Sequence, residues 1–179
     1  MNSPNPKDLI KNGAQFAYPA QWRKWEVINV FITQFNWKIG VEIGDNEGET
    51  VFEIAKSNPK LKIYGITCEP KRKMLKESLK YSNLETIVDT SNTTSNRFKK
   101  ESIDFVFIEG EHRYESVKNN IKYWEPKVKE NGLIMGHNYN WGNVARAVGE
   151  YFTEVWIMPD NVWAASKVWL RNDRKNFDR

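Results

Sequence analysis

Short runs rich in β-branched and aromatic residues alternate with amphipathic stretches along most of the chain, a pattern typical of a parallel α/β sheet. The strongest strand signal is the nearly continuous apolar run IDFVFI at 103–108, which predicts a strand buried on both faces. Five such runs predict parallel strands: 38–43, 62–67, 85–89, 103–108 and 133–136. Six amphipathic stretches predict helices: 21–35, 49–57, 71–81, 94–100, 114–124 and 143–151.

Two further strand signals, at 154–158 and 162–168, flank a Pro-Asp-Asn turn and predict a closing β pair. The whole pattern predicts a single-domain α/β fold, Rossmann-like and doubly wound, with a mostly parallel seven-stranded sheet and an antiparallel C-terminal strand. Residues 1–37 are predicted to form an N-terminal helical segment that packs on the core. Residues 38–170 are predicted to form the main domain, and 171–179 a disordered tail.

Composition narrows the class of protein only a little. The 179 residues include 40% hydrophobic residues and eight Trp, enough for one buried core. The single cysteine, Cys68, excludes an intrachain disulfide and favours a reducing compartment. No apolar run is long enough to span a membrane and no signal peptide is recognisable, which predicts a cytoplasmic protein. Basic stretches at 71–80 and 97–100 either attract nucleic acid or, more commonly, form solvated helix faces.

A glycine-containing turn, VEIGDNEG at 41–48, joins the first predicted strand to the following helix, where α/β sheets bind ligands. Carboxylates lie in or beside it: Glu42, Asp45, Glu47 and Glu49. They would repel a pyrophosphate but suit the ammonium and sulfonium of S-adenosylmethionine, which predicts this cofactor with contacts from Glu42, Gly44 and Gly48. An acidic helix start that meets the helix dipole is the alternative, and it does not account for Glu42 inside an apolar strand end.

Two further carboxylates follow the second and third predicted strands. In register, the position expected to bind the ribose hydroxyls is Thr67, and Glu69 two residues later is the nearest acid. Asp89 is the candidate for the adenine end of the cofactor, with a role as a turn residue before Thr90 as the alternative.

The second half of the chain carries the most specific motifs. They are IDFVFIEGEHRYESV at 103–117, NNIKYW at 119–124, NGLIMGHNY at 131–139, GNVARAV at 142–148 and Tyr151-Phe152. In this order they resemble the metal-dependent sugar O-methyltransferases of antibiotic tailoring, class I S-adenosylmethionine-dependent enzymes related to catechol O-methyltransferase. The resemblance covers about 38–167, and it implies an antiparallel strand in the closing pair and methyl transfer to a hydroxyl.

The resemblance also implies roles for individual residues. Glu109 and Asn138 fall on positions that bind a divalent metal such as Mg²⁺, and Glu109 is also expected to contact the cofactor. His137, beside them, is expected to be catalytic and to take part in activating the acceptor. Glu111 falls on the position of the base that takes the acceptor's proton, and His112 is the alternative. The family has Asp where this chain has Glu109, Glu111 and Asn138. Asn138 lowers the negative charge and each Glu is one methylene longer than Asp, so metal binding should weaken.

These observations predict an O-methyltransferase that acts on a hydroxyl of a sugar or other small molecule. A cofactor-binding or structural module on the same fold, without transfer activity, is the alternative. A methyltransferase of nucleic acid ranks last, because the Asn/Asp-Pro-Pro-aromatic motif is missing. Trp141 is placed either to meet an acceptor or to serve as an exposed structural aromatic. No membrane partner is expected, and a homo-oligomer stays open.

Overall fold

A computed structural model describes residues 19, 21–44, 47–167 and 170. Most of the predicted N-terminal segment (1–18 and 20), the predicted tail at 171–179 and Asp45 of the glycine turn lie outside the described residues. No helix in the described part of the chain is long and apolar enough to cross a membrane.

One seven-stranded sheet organises the fold. Its strands are β1 Ile39–Ile43, β2 Lys62–Thr67, β3 Leu84–Val88, β4 Ile103–Ile108, β5 Val128–Gly136, β6 Trp156–Met158 and β7 Val162–Ser166. They lie in the order β3-β2-β1-β4-β5-β7-β6. Strands β1 to β5 are parallel, whereas β7 is antiparallel to both β5 and β6. The predicted seven-stranded sheet and its antiparallel C-terminal strand are therefore confirmed.

Six α-helices accompany the sheet in the described residues. They are α1 Lys24–Phe35, α2 Glu49–Ser57, α3 Arg72–Ser78, α4 Ser91–Ser95, α5 Tyr114–Trp124 and α6 Gly142–Tyr151. The predicted helix at 94–100 lies earlier in the structure, because the Thr90 hydroxyl caps α4 by accepting a hydrogen bond from the Thr93 backbone N–H at 3.3 Å.

β5 begins earlier than the strand predicted at 133–136, and Asn131 and Gly132 lie inside it. Ile103 pairs with Val128 and Phe105 pairs with Leu133, so β5 bulges opposite Asp104. A Cβ on Gly132 would lie 2.3 Å from the Asp104 carbonyl oxygen, and only glycine allows this close approach.

The core has two layers, one on each face of the sheet. Phe105 and Phe107 of β4 face the layer formed with α1 and α2, and Val106 and Ile108 face the layer formed with α5 and α6. Successive side chains of a strand point to opposite faces, so a strand covered on both sides is apolar at every position. The same layering holds the carboxyl ends of β1 to β5 rigidly at one edge, where the site lies.

Candidate active site

The loops after the first four parallel strands surround a cavity of about 270 Å³ at the carboxyl edge of the sheet. Gly44 and Thr67 line it from the ends of β1 and β2, Asp89 from the loop after β3, and Gly110 and Glu111 from the loop after β4. Ligands of open α/β sheets bind in such a crevice, outside the carboxyl ends of the strands. The cavity is therefore the candidate cofactor site.

The floor of this cavity is made by two glycines in direct backbone contact. Gly44 has a φ of 94°, and a Cβ built on it would lie 2.1 Å from the Cα of Gly110. The two loops are also tied to the sheet, since the Gly44 N–H donates to the Ile66 carbonyl at 2.7 Å and the Glu109 N–H donates to the Ile43 carbonyl at 2.9 Å. A flat ligand can thus approach bare backbone at this point, as a nucleoside requires.

The wall formed by the loop after β3 is held by hydrogen bonds. The Asp89 carboxylate accepts from Arg97 at 2.9 Å and from the Thr90 backbone N–H at 2.7 Å. Buried Trp124 of α5 donates its indole N–H to the Ser91 hydroxyl at 2.8 Å. Asp89 therefore lies on the cavity wall, and its contact with the adenine end of a cofactor stays a prediction.

Four other predicted cofactor residues do not line the cavity: Glu42, Gly48, Glu69 and Glu109. Glu42 is 1% exposed in β1. Gly48 caps the start of α2 with a φ of 83°, and Glu69 is exposed beyond the end of β2. Among the described residues, Thr67 and Cys68 line the cavity at the position where Glu69 was expected. The contacts of Glu42, Gly48, Glu69 and Glu109 with a cofactor stay predictions.

Beside the cavity, four charged or titratable side chains form what we name the buried charge cluster: Lys24, Glu109, His137 and Asp160. The Lys24 ammonium donates to Glu109 Oε1 at 2.8 Å, and these two side chains are only 14% and 13% exposed. His137 bridges both carboxylates, with Nδ1 3.3 Å from Glu109 Oε1 and Nε2 3.7 Å from Asp160 Oδ1. Glu109 Oε2 is buried with no hydrogen-bond partner among the described residues.

Distant segments of the chain assemble this cluster. Glu109 follows β4, and His137 follows β5 with its N–H donating to the Ile108 carbonyl at 3.2 Å. Asp160 lies in the β6–β7 turn with a φ of 58°, and its Oδ2 accepts from the Lys24 backbone N–H at 3.0 Å. This bond fixes the start of α1 and directs the lysine toward Glu109.

Sequence reasoning did not identify Lys24 or Asp160. The one local signal is that Lys24 occupies the first position of α1, where a cation meets the positive end of the helix dipole. A lysine in that position is stabilised by a carboxylate partner, and Glu109 provides it.

Burial and the charges within the cluster shift the pKa values of its titratable side chains. Burial alone would raise the pKa of Glu109, but hydrogen bonds from His137 and Lys24 outweigh burial and lower that pKa below its ordinary value. Burial would likewise lower the pKa of His137, but the hydrogen bond to Glu109 and its charge raise it. For His112, burial is the dominant cause and the pKa falls.

We expect the cluster to make folding stability depend on pH. The Glu109 contribution is complete above the ordinary pKa of 4.5 and is lost as the pH falls through the lowered pKa. The His137 contribution is complete below its ordinary pKa of 6.5 and is lost as the pH rises through the raised pKa. Lys24, Asp160 and His112 are the other charged or titratable groups facing the pair. Between about pH 4.5 and 6.5 the free energy of unfolding in urea should be roughly 3–5 kcal/mol higher for wild type than for Glu109→Gln, because the variant removes the buried carboxylate that pairs with Lys24 and His137.

At pH values below the lowered pKa of Glu109 the difference should vanish, because the wild-type carboxyl is then protonated too. At pH values above the raised pKa of His137, only the contribution of His137 to the free energy of unfolding should be lost. The exposed pair of Glu77 and Lys80 offers a control, since Glu77→Gln should change stability little at any pH. A wild-type-minus-variant difference that is the same at all pH values would show that the cluster does not form in solution.

A second polar contact lies next to the cluster. Asn138, with a φ of 56°, places its amide nitrogen 3.0 Å from His112 Nε2. The ring of Trp141 lies 4.9 Å from the His112 ring and is 52% exposed. The two histidines therefore differ: His137 is ion-paired inside the cluster, whereas His112 borders an exposed aromatic surface.

Glu111 lies at the rim of the cofactor cavity. Its side chain is 52% exposed, pairs with Arg113 at 2.7 Å and accepts from the Ser116 hydroxyl at 2.6 Å. Its predicted role as the base stays a prediction, and its carboxylate has two partners close by in sequence.

The predicted metal ligands do not form a donor set that fits a divalent cation. Glu109 Oε1 is held by the Lys24 ammonium, which would repel a metal ion on the same carboxylate. The Asn138 amide is directed to His112 instead. Within the described residues, no group of three or more His, Cys, Asp or Glu side chains could hold a metal. We therefore derive no chemical step through a metal.

The strand order, with its antiparallel strand between β5 and β6, and the cavity at the carboxyl edge define a class I S-adenosylmethionine-dependent methyltransferase. A family model described as "Methyltransferase domain" matches residues 41–139, more than half of the chain. This chain belongs to that methyltransferase family. No curated protein matches the sequence.

Solved structures share the fold at low sequence identity. Cofactor-bound Rv0187 from MTB is 13% identical with a TM-score of 0.65, over 92% of this chain and 98% of that one. A protein assigned as a caffeoyl-CoA O-methyltransferase from Staphylococcus aureus is 17% identical with a TM-score of 0.60, over 90% and 91%. Precorrin-6y C5,15-methyltransferase from Geobacter metallireducens GS-15 is 16% identical with a TM-score of 0.60, over 85% and 92%.

Proposed function

We propose that this protein transfers the methyl group of S-adenosylmethionine to a hydroxyl oxygen of a sugar or other small molecule. One observation carries the proposal: the short loop after β4 borders two sites at once. Gly110 and Glu111 line the cofactor cavity, and the next residue, His112, contacts Asn138 and Trp141 beside the cavity. A donor and an acceptor held on the two sides of this loop would be adjacent, as direct transfer requires.

The cavity suits the adenosine part of the cofactor. Bound S-adenosylmethionine supplies a methyl group on a positively charged sulfur. The backbone of Gly44 and Gly110 would lie against the nucleoside, and the Asp89 carboxylate and the Thr67 hydroxyl line the wall where its polar edges would bind. Glu109 Oε2 adds a buried acceptor beside the cavity for a donor group of the cofactor or the acceptor.

We assign the role of general base to His112 rather than to Glu111. The rim carboxylate of Glu111 is engaged by Arg113 and Ser116, whereas the lowered pKa of His112 keeps the ring neutral and able to take a proton near neutral pH. The Asn138 side chain sets the tautomer. With the amide nitrogen 3.0 Å from Nε2, Nε2 accepts its hydrogen bond, so the neutral ring carries its proton on Nδ1 and Nε2 is the nitrogen able to take a proton.

Trp141 is the group in this region best suited to select the acceptor. Its half-exposed ring lies next to His112 and presents an apolar face to solvent. Aromatic faces stack well on the apolar faces of sugar rings and on phenols, so a cyclic acceptor on Trp141 would bring a hydroxyl toward the imidazole. This arrangement supports a small cyclic acceptor.

Calorimetric titration of the purified protein with S-adenosylmethionine and S-adenosylhomocysteine tests the cofactor site first. We expect saturable binding, weakened at least about tenfold by Asp89→Ala, which removes a hydrogen-bonded carboxylate from the wall. Glu85→Ala is the matched control, since this carboxylate of β3 is exposed and pairs with Lys62 outside the cavity. Formation of S-adenosylhomocysteine with a panel of sugars and phenols then tests transfer.

A cofactor-binding module without transfer activity is the second candidate. The neutral amide of Asn138, where the resembling family has a carboxylate, favours it. The two functions differ in outcome: cofactor binding with no product from any hydroxyl acceptor would favour the module. Failure to bind either form of the cofactor would contradict both.

A further inference from the structure

The buried pair between Lys24 and Glu109 lies where the resemblance to metal-dependent enzymes would place a divalent cation. The ammonium lies 2.8 Å from Glu109 Oε1, with both side chains about seven-eighths buried. Nothing in the local sequence around either residue requires this pairing, since 85 residues separate them. The pair exists because the start of α1 is fixed to the β6–β7 turn by Asp160.

Both carboxylates of the cluster already have basic partners without a metal. Glu109 and Asp160 provide the carboxylates, Lys24 provides a permanent cation, and His137 bridges the two acids. The remaining ligand position of the resembling family holds Asn138, a neutral amide whose nitrogen faces His112. A dication would therefore have to displace an ammonium from its best anionic ligand, and no carboxylate at position 138 would compensate.

We infer that Lys24 is the resident cation of this site, holding Glu109 in place of a divalent metal, so that the transferase works without one. The statement about methyl transfer rests on the proposed function, whereas the statement that Lys24 occupies the cation position does not. Lys24 is a positioning residue: it orients Glu109 beside the loop that carries His112. Its ammonium also keeps positive charge near the place where the acceptor oxygen becomes negative.

The inference accounts for two departures from the resembling family together. A glutamate at position 109 is one methylene longer than the usual aspartate and extends toward the ammonium on α1. With asparagine at position 138 there is no second carboxylate beside Glu109 for one lysine to neutralise. The Asn138 amide contacts His112 instead. Asp160 binds the helix that delivers the lysine.

The test is Mn²⁺ binding to the full chain, measured by calorimetry and by the spectroscopic signal of the free ion. Wild type should show no site below millimolar concentration. The double variant Lys24→Met/Asn138→Asp, which removes the ammonium and restores a carboxylate, should gain a site that binds on the order of tenfold or more tightly than wild type. Micromolar Mn²⁺ binding by wild type would overturn the inference. This measurement on wild type requires neither enzymatic activity nor a variant that folds.

Measurement of enzymatic turnover provides a second test of the inference. Product formation by wild type should be the same with EDTA and with Mg²⁺, whereas loss of turnover in EDTA would overturn the inference. Lys24→Met should lower turnover by at least about tenfold, and Lys24→Arg should recover part of it, because the charge rather than the side-chain volume matters. Lys56→Met is the control, since Lys56 is 65% exposed on α2 in a surface pair with Glu53.

Cofactor titration in the same samples separates the two hypotheses. A wild-type protein that binds no S-adenosylmethionine contradicts the proposed function, while its Mn²⁺ titration still decides whether Lys24 holds the site. A protein that binds the cofactor, transfers methyl groups and needs Mg²⁺ contradicts the inference alone.

Discussion

Replacing Gly44 by alanine should abolish cofactor binding and destabilise the fold. The new Cβ would lie 2.1 Å from the Cα of Gly110, and the backbone φ of 94° is one that residues with a side chain rarely adopt. Strain and overpacking together should lower the free energy of unfolding by roughly 2–4 kcal/mol. The loops after β1 and β4 must separate, so S-adenosylmethionine affinity should fall at least about 100-fold, because this contact forms the cavity floor.

Two other glycines give a graded comparison, by thermal unfolding and cofactor titration. Gly110→Ala places its Cβ 3.3 Å from the Gly44 Cα, a tight contact without the left-handed strain, and it should weaken cofactor binding less. Gly149→Ala, within α6 and with no atom within 4 Å of its Cβ, should leave affinity unchanged and raise stability by up to about 1 kcal/mol. Cofactor affinity in Gly44→Ala equal to that of Gly149→Ala would disprove the assignment of the cavity.

Replacing His112 by glutamine should lower turnover by roughly 10²–10⁴-fold while cofactor affinity stays near that of wild type. Glutamine keeps a hydrogen-bonding partner for Asn138 but cannot take the proton of an acceptor hydroxyl. The side chain lies beside the loop that borders the cavity and does not line the cavity itself. Single-turnover kinetics with saturating cofactor would separate this loss from any change in binding.

The parallel variant Glu111→Gln distinguishes the two candidate bases. If His112 is the base, Glu111→Gln should lower turnover only modestly and without changing the pH profile. Because burial lowers the pKa of His112, wild-type kcat/KM should rise with pH with a midpoint below the ordinary histidine pKa of 6.5, and this rise should be absent in His112→Gln. A large loss in Glu111→Gln with normal turnover in His112→Gln would reverse the assignment.

The arrangement of strands and helices could be predicted from the sequence because burial imposes patterns on single elements. The apolar run at 103–108 coincides with β4, which is buried at all six positions, and the amphipathic stretch at 114–124 coincides with α5. Element ends were less predictable, because caps and close approaches set them. Thr90 starts α4 earlier than the apolar pattern suggests, and Gly132 lies within β5 against the Asp104 carbonyl.

The sequence also determined which side chains reach the active edge of the sheet. Parallel strands end at one edge, so the residues after each strand meet there, and Gly44, Asp89, Glu109 and His137 do so. Only the tertiary structure decided their partners. Lys24 and Asp160 are 136 residues apart, and they join this edge because α1 docks on the β6–β7 turn. Such contacts depend on how elements pack together, and no local periodicity or spacing encodes them, so the cation on Glu109 emerged from the fold alone.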